Sequence, residues 1–156
     1  MLMIRPKAVY LALLTFGALP IYSQDASTTA KPSDAKVRVH VYRYKAFQGK
    51  ALRPSIYVDE KDTARLQSGR GVILALEPGK HAFRSNDKQS QIDLDLKPGQ
   101  DYYIRIDIAP GLMKGHGRLT LVQQEQGVGE YKQIKSVDAA MIKEKSALAP
   151  DFVPAP

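Results

Sequence analysis

The chain has no cysteine, only three histidines, and no apolar run long enough to cross a bilayer as a helix. Without cysteine there can be no disulfide, thiol nucleophile, Cys-based zinc site or iron–sulfur ligation. His40, His81 and His116 fall in or beside three separate predicted elements, and HExxH and HxH spacings are absent. A Gly-x-Ser-x-Gly nucleophile elbow, a GxGxxG loop and a GxxxxGK[ST] phosphate loop are also missing. These absences assign no catalytic residue, no cofactor and no metal, and the chain reads as a non-enzymatic protein. The longest apolar stretch, residues 8–22, is 15 residues and contains Pro20. A spanning helix needs about 20.

That stretch has a different use. Arg5 and Lys7 precede an apolar segment at 8–16 (AVYLALLTF), then Gly17, Pro20 and a small residue at Ser23. This order is that of a secretory signal peptide over residues 1–23, cut before Gln24. The expected location is therefore periplasmic or extracellular, with retention of the uncleaved leader as a membrane anchor as the alternative. After cleavage no transmembrane span would remain. Loss of Arg5 and Lys7 leaves 21 cations against 16 acids, a formal charge of +5. That balance favours an acidic or polyanionic surface, or an acidic envelope protein, over a basic partner. Nucleic acid is not expected, because the longest basic cluster lacks the aromatic interleaving that stacks bases and export argues against such a partner.

Residues 24–35 (QDASTTAKPSDA) are small and polar and predict a disordered linker. Beyond them the dominant period is two. Val37, Val39 and Val41 alternate with Arg38, His40 and Tyr42, the pattern of a strand with one buried face. A short hairpin is expected around Asp59-Glu60-Lys61-Asp62. Residues 72–76 are apolar on both faces and belong inside a sheet. Pro78-Gly79 and Pro98-Gly99 suit type II turns and predict two hairpins, one over 72–84 and one over 91–108. The inside set is Ile92, Leu94, Leu96, Tyr102, Ile104, Ile106, Leu119 and Leu121. The stretch 123–129 reads as a hairpin or irregular turn. Asp138 is placed to cap a short helix over 139–146, and the proline-rich 147–156 is expected to be an extended tail. The fold class is all-β: an antiparallel β-sandwich over 36–138, closed by a short C-terminal helix. Two layers are required because each alternating strand has an apolar face that one sheet would leave wet.

The segments VHVYRYKAFQGKALRPSIYVDEKDTARLQSGRGVILALEPGKHAF and IDLDLKPGQDYYIRIDIAPGLMKGHGRLTLV resemble the DUF2846 family, domains of unknown function of bacterial envelope proteins. The same blocks resemble PEGA-type modules, in which Pro-Gly turns separate the strands of a small sandwich. The resemblance implies an immunoglobulin-like or transthyretin-like sandwich in an exported accessory domain. It implies no activity and no ligand. Many relatives carry a lipobox cysteine, which this chain lacks, so the resemblance implies free release rather than lipid anchoring.

Two patches carry the composition of contact surfaces, where aromatic residues and arginine are enriched. The first is Tyr42, Arg43, Tyr44 and Phe47, with Lys45 among them; the second is Leu112, Met113, Lys114, His116 and Arg118. The reading is an exported interaction module of the cell envelope. A structural accessory subunit of an envelope assembly is one alternative. Another is a hydrolase using Asp93 or Asp95 with His40.

Overall fold

The structure is a computed structural model that describes residues 36–47, 49–110 and 115–156. The leader, the linker and the positions Leu112, Met113 and Lys114 lie outside the described residues. Period-two alternation becomes strands wherever it was expected: β1 (Val37–Tyr42), β2 (Ser55–Val58), β3 (Lys61–Arg65), β4 (Arg70–Leu76), β5 (Gly79–Arg84), β6 (Ile92–Leu96), β7 (Asp101–Ala109) and β8 (His116–Val122). A helix, α1 (Gln124–Tyr131), and a two-residue strand, β9 (Lys135–Ser136), follow.

The strands form two sheets, ordered β8-β7-β1-β4-β9 and β3-β2-β5-β6. One core lies between them. Val37, Val39, Val41, Leu74, Ile104 and Ile106 supply it from the first sheet, and Ile56, Val58, Phe83 and Leu96 from the second. Each side chain of this size contributes about 1.5–3 kcal/mol when fully buried. The fold is thus all-β, as expected.

Pairing differs from expectation in an instructive way. The strands flanking each Pro-Gly pair do not hydrogen-bond to each other. β4 lies in one sheet and β5 in the other, and β6 and β7 are divided likewise. Pro78-Gly79 and Pro98-Gly99 are corners between sheets rather than hairpins. Gly99 has φ 76°, the value for the third position of a type II turn, whereas Gly79 is at 129°. Two pairings, β1 with β7 and β4 with β9, are parallel, so the larger sheet is mixed. The hairpin around 59–62 does form, with Asp59 and Glu60 both at positive φ. β4 has β1 along one side. On the other, the two-residue β9 pairs only with Arg70 and Gly71, and the segment near the chain end covers Ile73 and Leu74. Its apolar residues 72–76 are thus enclosed without a full strand on both sides.

Leu96, Ile104, Ile106 and Leu119 are buried, and Ile92, Leu94 and Tyr102 pack against the core half-covered. Leu121 is the exception, 46% exposed. It pairs with Ile104 and shares its face, but β8 is an edge strand with nothing beyond it.

The chain end also departs from expectation. No α-helix forms over 139–146; Ala139–Met141 and Lys145–Ala147 are single 3-10 turns, and Asp138 makes no cap bond. The segment runs as a strap instead. Val137 N–H donates to Gly71 O (2.9 Å), Lys143 and Glu144 N–H both donate to Thr63 O, and Ala149 N–H donates to Ile73 O (2.9 Å). The strap therefore ties β4 of one sheet to β3 of the other. Phe152 packs on the core, Val153 is exposed, and Ala155 exchanges backbone hydrogen bonds with Val137 and Ala139 (both 2.9 Å), so the expected free tail is fastened along its length.

Candidate functional site

Alternation along β1 places Val37, Val39 and Val41 toward the core, and the same parity puts Arg43 there. Arg43 is 2% exposed. Its guanidinium donates to Leu52 O (2.7 Å) and Gly49 O (2.8 Å) and has no carboxylate partner among the described residues. Burial pushes its pKa down, and the two carbonyl dipoles supply the compensation a buried charge requires. The effect is to clamp the loop between β1 and β2 onto the end of the core. Gly49, at φ 67°, lies against Ile108, and Ala46 N–H donates to Ser68 Oγ (2.9 Å).

The start of β8 reaches the same end. A Cβ on Gly117 would lie 2.4 Å from Ser85 Oγ, and one on Gly115 would lie 2.6 Å from Ile108, so both glycines permit close approach that a larger residue would block. His116, between them, approaches Asp87 at 3.4 Å. A cleft of about 470 Å³ opens between Arg53, Pro54, Asn86 and His116. A smaller one of about 220 Å³ lies between Arg43, Tyr44, Ile106 and Asp107. The described members of the two patches, remote in sequence, therefore lie at one end of the two-sheet body, opposite the end where β1 begins.

Within those patches the roles divide. Phe47 is 97% exposed, Arg118 is exposed, and Tyr44 and His116 are half-buried. Tyr42 and Arg43 are corrected: both are buried, Arg43 as the clamp and Tyr42 in a second small core, and neither is available for contact.

That second core covers the outer face of the larger sheet. It holds Tyr42, Tyr103 and Val122, with Tyr131 and Ile134 packed on them. Gly127 of α1 sits so close to Tyr103 that a Cβ would come within 2.2 Å of its ring. Tyr42 donates its hydroxyl to Glu130 (2.5 Å), and Arg105 bonds the same carboxylate (3.2 Å) and Asp107 (3.1 Å). Burial pushes the Glu130 carboxyl up, but hydrogen bonds from Tyr42, Gln126 and Tyr44 and the Arg105 charge outweigh it and hold it below the usual range. From Gln124 onward the stretch 123–129 is helix rather than the expected turn: its glutamines and glutamate favour one, but Gly127 and Gly129, each costing about 1 kcal/mol, hide it.

His40 lies under this cover, stacked on Tyr103 at 4.5 Å and edge-on to Tyr131 at 4.9 Å. It faces away from the main core as expected, yet it is only 7% exposed. Nε2 meets Asp101 at 3.2 Å, and Nδ1 is buried with no hydrogen-bond partner among the described residues. Asp93 and Asp95 alternate with the core residues of β6, in the other sheet. The hydrolase arrangement of His40 with these carboxylates is therefore not assembled. His81 is taken up by Asp59 (2.7 Å) and Glu77 O (2.9 Å). Among the described residues no three His, Cys, Asp or Glu groups converge as metal ligands, and no helix is long and apolar enough to cross a membrane.

A family described as "Protein of unknown function (DUF2846)" matches residues 33–117. The matched span runs from before β1 into β8 and contains the whole clamped loop, but it excludes α1 and the strap. An uncharacterized protein of Haemophilus influenzae is 29% identical over 125 residues, covering 76% of this chain and 74% of that protein. No solved structure matches.

Proposed function

The chain belongs to the DUF2846 family, and from that premise we propose that it is an exported, non-enzymatic interaction module of the cell envelope that makes contact through its loop-bearing end. The observation that carries this reading is that Tyr44 and Phe47 of the first patch and His116 and Arg118 of the second lie at one end of a frame clamped by Arg43. A rigid two-sheet body holding loops at one end is a common way to present a binding surface. Two sheets sharing one core support the finer reading of an immunoglobulin-like or transthyretin-like sandwich. The leader-like order of Arg5, Lys7 and the apolar 8–16 segment supports export. The formal positive charge supports an acidic protein or polyanionic surface as the partner.

The test is retention of the purified domain by native envelope fractions, with Tyr44→Ala, Phe47→Ser and Arg118→Ser compared with Asp93→Asn. Selective loss in the first three, with folding intact, is the expected result. Equal retention of all four variants would remove the contact end from consideration. Mass spectrometry of the N-terminus in fractionated cells should find a chain beginning near Gln24; an intact Met1 on a cytoplasmic species would overturn export.

A further inference from the structure

The loop clamped by Arg43 carries a charge asymmetry that its packing does not need. Residues 36–58 contain no aspartate or glutamate and six cations: Lys36, Arg38, Arg43, Lys45, Lys50 and Arg53. Lys45, Lys50 and Arg53 are exposed and, among the described residues, have no ion-pair partner. The nearby acids are already engaged, Asp107 by Arg105 and Asp87 by His116. Amid these cations stands Phe47, the most exposed large apolar side chain described. The loop is held from beneath by Arg43 and by Ser68, so its outward presentation does not depend on Phe47 packing anywhere.

A solvated aromatic flanked along its loop by cations that lack ion-pair partners is a composition that seats a protein at a lipid interface: the aromatic side chain enters the headgroup–acyl boundary while the cations meet anionic headgroups. We propose that this loop end docks on an anionic lipid surface, with Phe47 as the inserted residue and Lys45, Lys50 and Arg53 as its electrostatic partners. The inference rests on the contact end argued above and gives its partner a chemical class. Charge complementarity requires an anionic partner, and the exposure of Phe47 favours lipid over an acidic protein. Among the described residues of the loop, the one large apolar anchor is fully solvated rather than set in the half-buried cluster that protein hot spots require.

The test uses residues 32–156, a compact unit with its own core, because the apolar stretch before it would bind vesicles by itself. Cosedimentation is measured with vesicles of equal phosphatidylglycerol and phosphatidylcholine, and with phosphatidylcholine alone. Binding is expected only to the anionic vesicles, falling with salt. Each cation removed should weaken it by about fivefold, since one basic residue near such a surface contributes about 1 kcal/mol. Lys45→Gln/Lys50→Gln and Phe47→Ser should both lose binding, whereas Lys143→Gln/Lys145→Gln, of equal charge loss on the strap, should keep most of it. The chain has no tryptophan, so Phe47→Trp provides a sole indole whose emission should shift to the blue with anionic vesicles. An unshifted indole, or equal loss in the strap variant, would overturn the proposal. If vesicles fail to bind while envelope fractions still discriminate the Phe47 and Arg118 variants, the partner is a protein and the contact end stands. If neither discriminates, both readings fail together.

Discussion

The two sheets show the same alternation in sequence and meet opposite fates on their outer faces. On β6, Asp93 and Asp95 point away from the core and stay in water. On β1, His40 and Tyr42 also point away from the core, yet both are buried, because α1 and the residues after it fold back over that sheet. The outer face of the larger sheet is thus a second core, while that of the smaller sheet is a solvated surface. Outward parity on a strand says which face a residue is on; it does not say whether that face is wet.

The sharpest way to break this comparison is Tyr103→Ala. Tyr103 is 5% exposed and supports His40 on one side and Gly127 on the other. Its truncation should cost about 3–5 kcal/mol, the range for a large aromatic in a core. A loss typical of a surface position, read by urea unfolding, would mean that the helix does not cover the face. Gly127→Ala comes next. The added methyl would press on the Tyr103 ring, and overpacking of this kind costs about 1–3 kcal/mol unless α1 shifts outward.

The covered face should also respond to acid. Burial lowers the His40 pKa, and although the Asp101 contact works against that, the net direction is down. Arg38, Asp101, Tyr103, Tyr131 and Asp151 are the charged and titratable groups that face it or act on it. Because the folded value lies below that of the unfolded chain, the unfolded state takes up its proton first as pH falls. Stability should therefore be level for this group above about pH 6.5, decline below it, and level again beneath the folded value. The measurement is the urea midpoint from pH 7.5 to 5. His40→Gln should flatten the decline, and an unchanged slope would show that the imidazole is solvated.

Two smaller effects complete the contrast. Gly129, in the same helix as Gly127, has nothing within reach of an added Cβ. Gly129→Ala should stabilise by about 0.5–1 kcal/mol through helix propensity alone, opposite in sign to its neighbour two residues away. Asp93→Asn on the bare face should change stability by less than about 0.5 kcal/mol, and a larger loss would mean that face is also built into the fold.

The candidate site was legible in composition and not in placement. Aromatic and basic residues at 42–47 and 112–118 marked both patches, but the same composition put Tyr42 and Arg43 into one group with Phe47. Residue type could not separate them. The second core covers Tyr42, and core parity buries Arg43, where the carbonyls of Gly49 and Leu52 receive its charge. Gln124, Glu125, Gln126 and Glu130 favour a helix locally, but two glycines and an uncapped start offset them, and packing on Tyr103 decides the outcome.

What the sequence determined by itself was the strands β1 to β8 and the all-β class, since period-two patterning and β-branched residues are properties of neighbours along the chain. It also determined the hairpin at Asp59-Glu60, where the turn and both strands lie within a few residues. Only the tertiary structure decided which strands pair. β6 and β7 each offer one apolar face, and that requirement is met equally well by lying side by side or by facing each other across a core. The same choice turned both Pro-Gly pairs into corners, brought β1 parallel to β7, and drew the loops of residues far apart in sequence to one end. Burial of apolar surface between two layers is a long-range quantity, so no local pattern of residues encodes its solution.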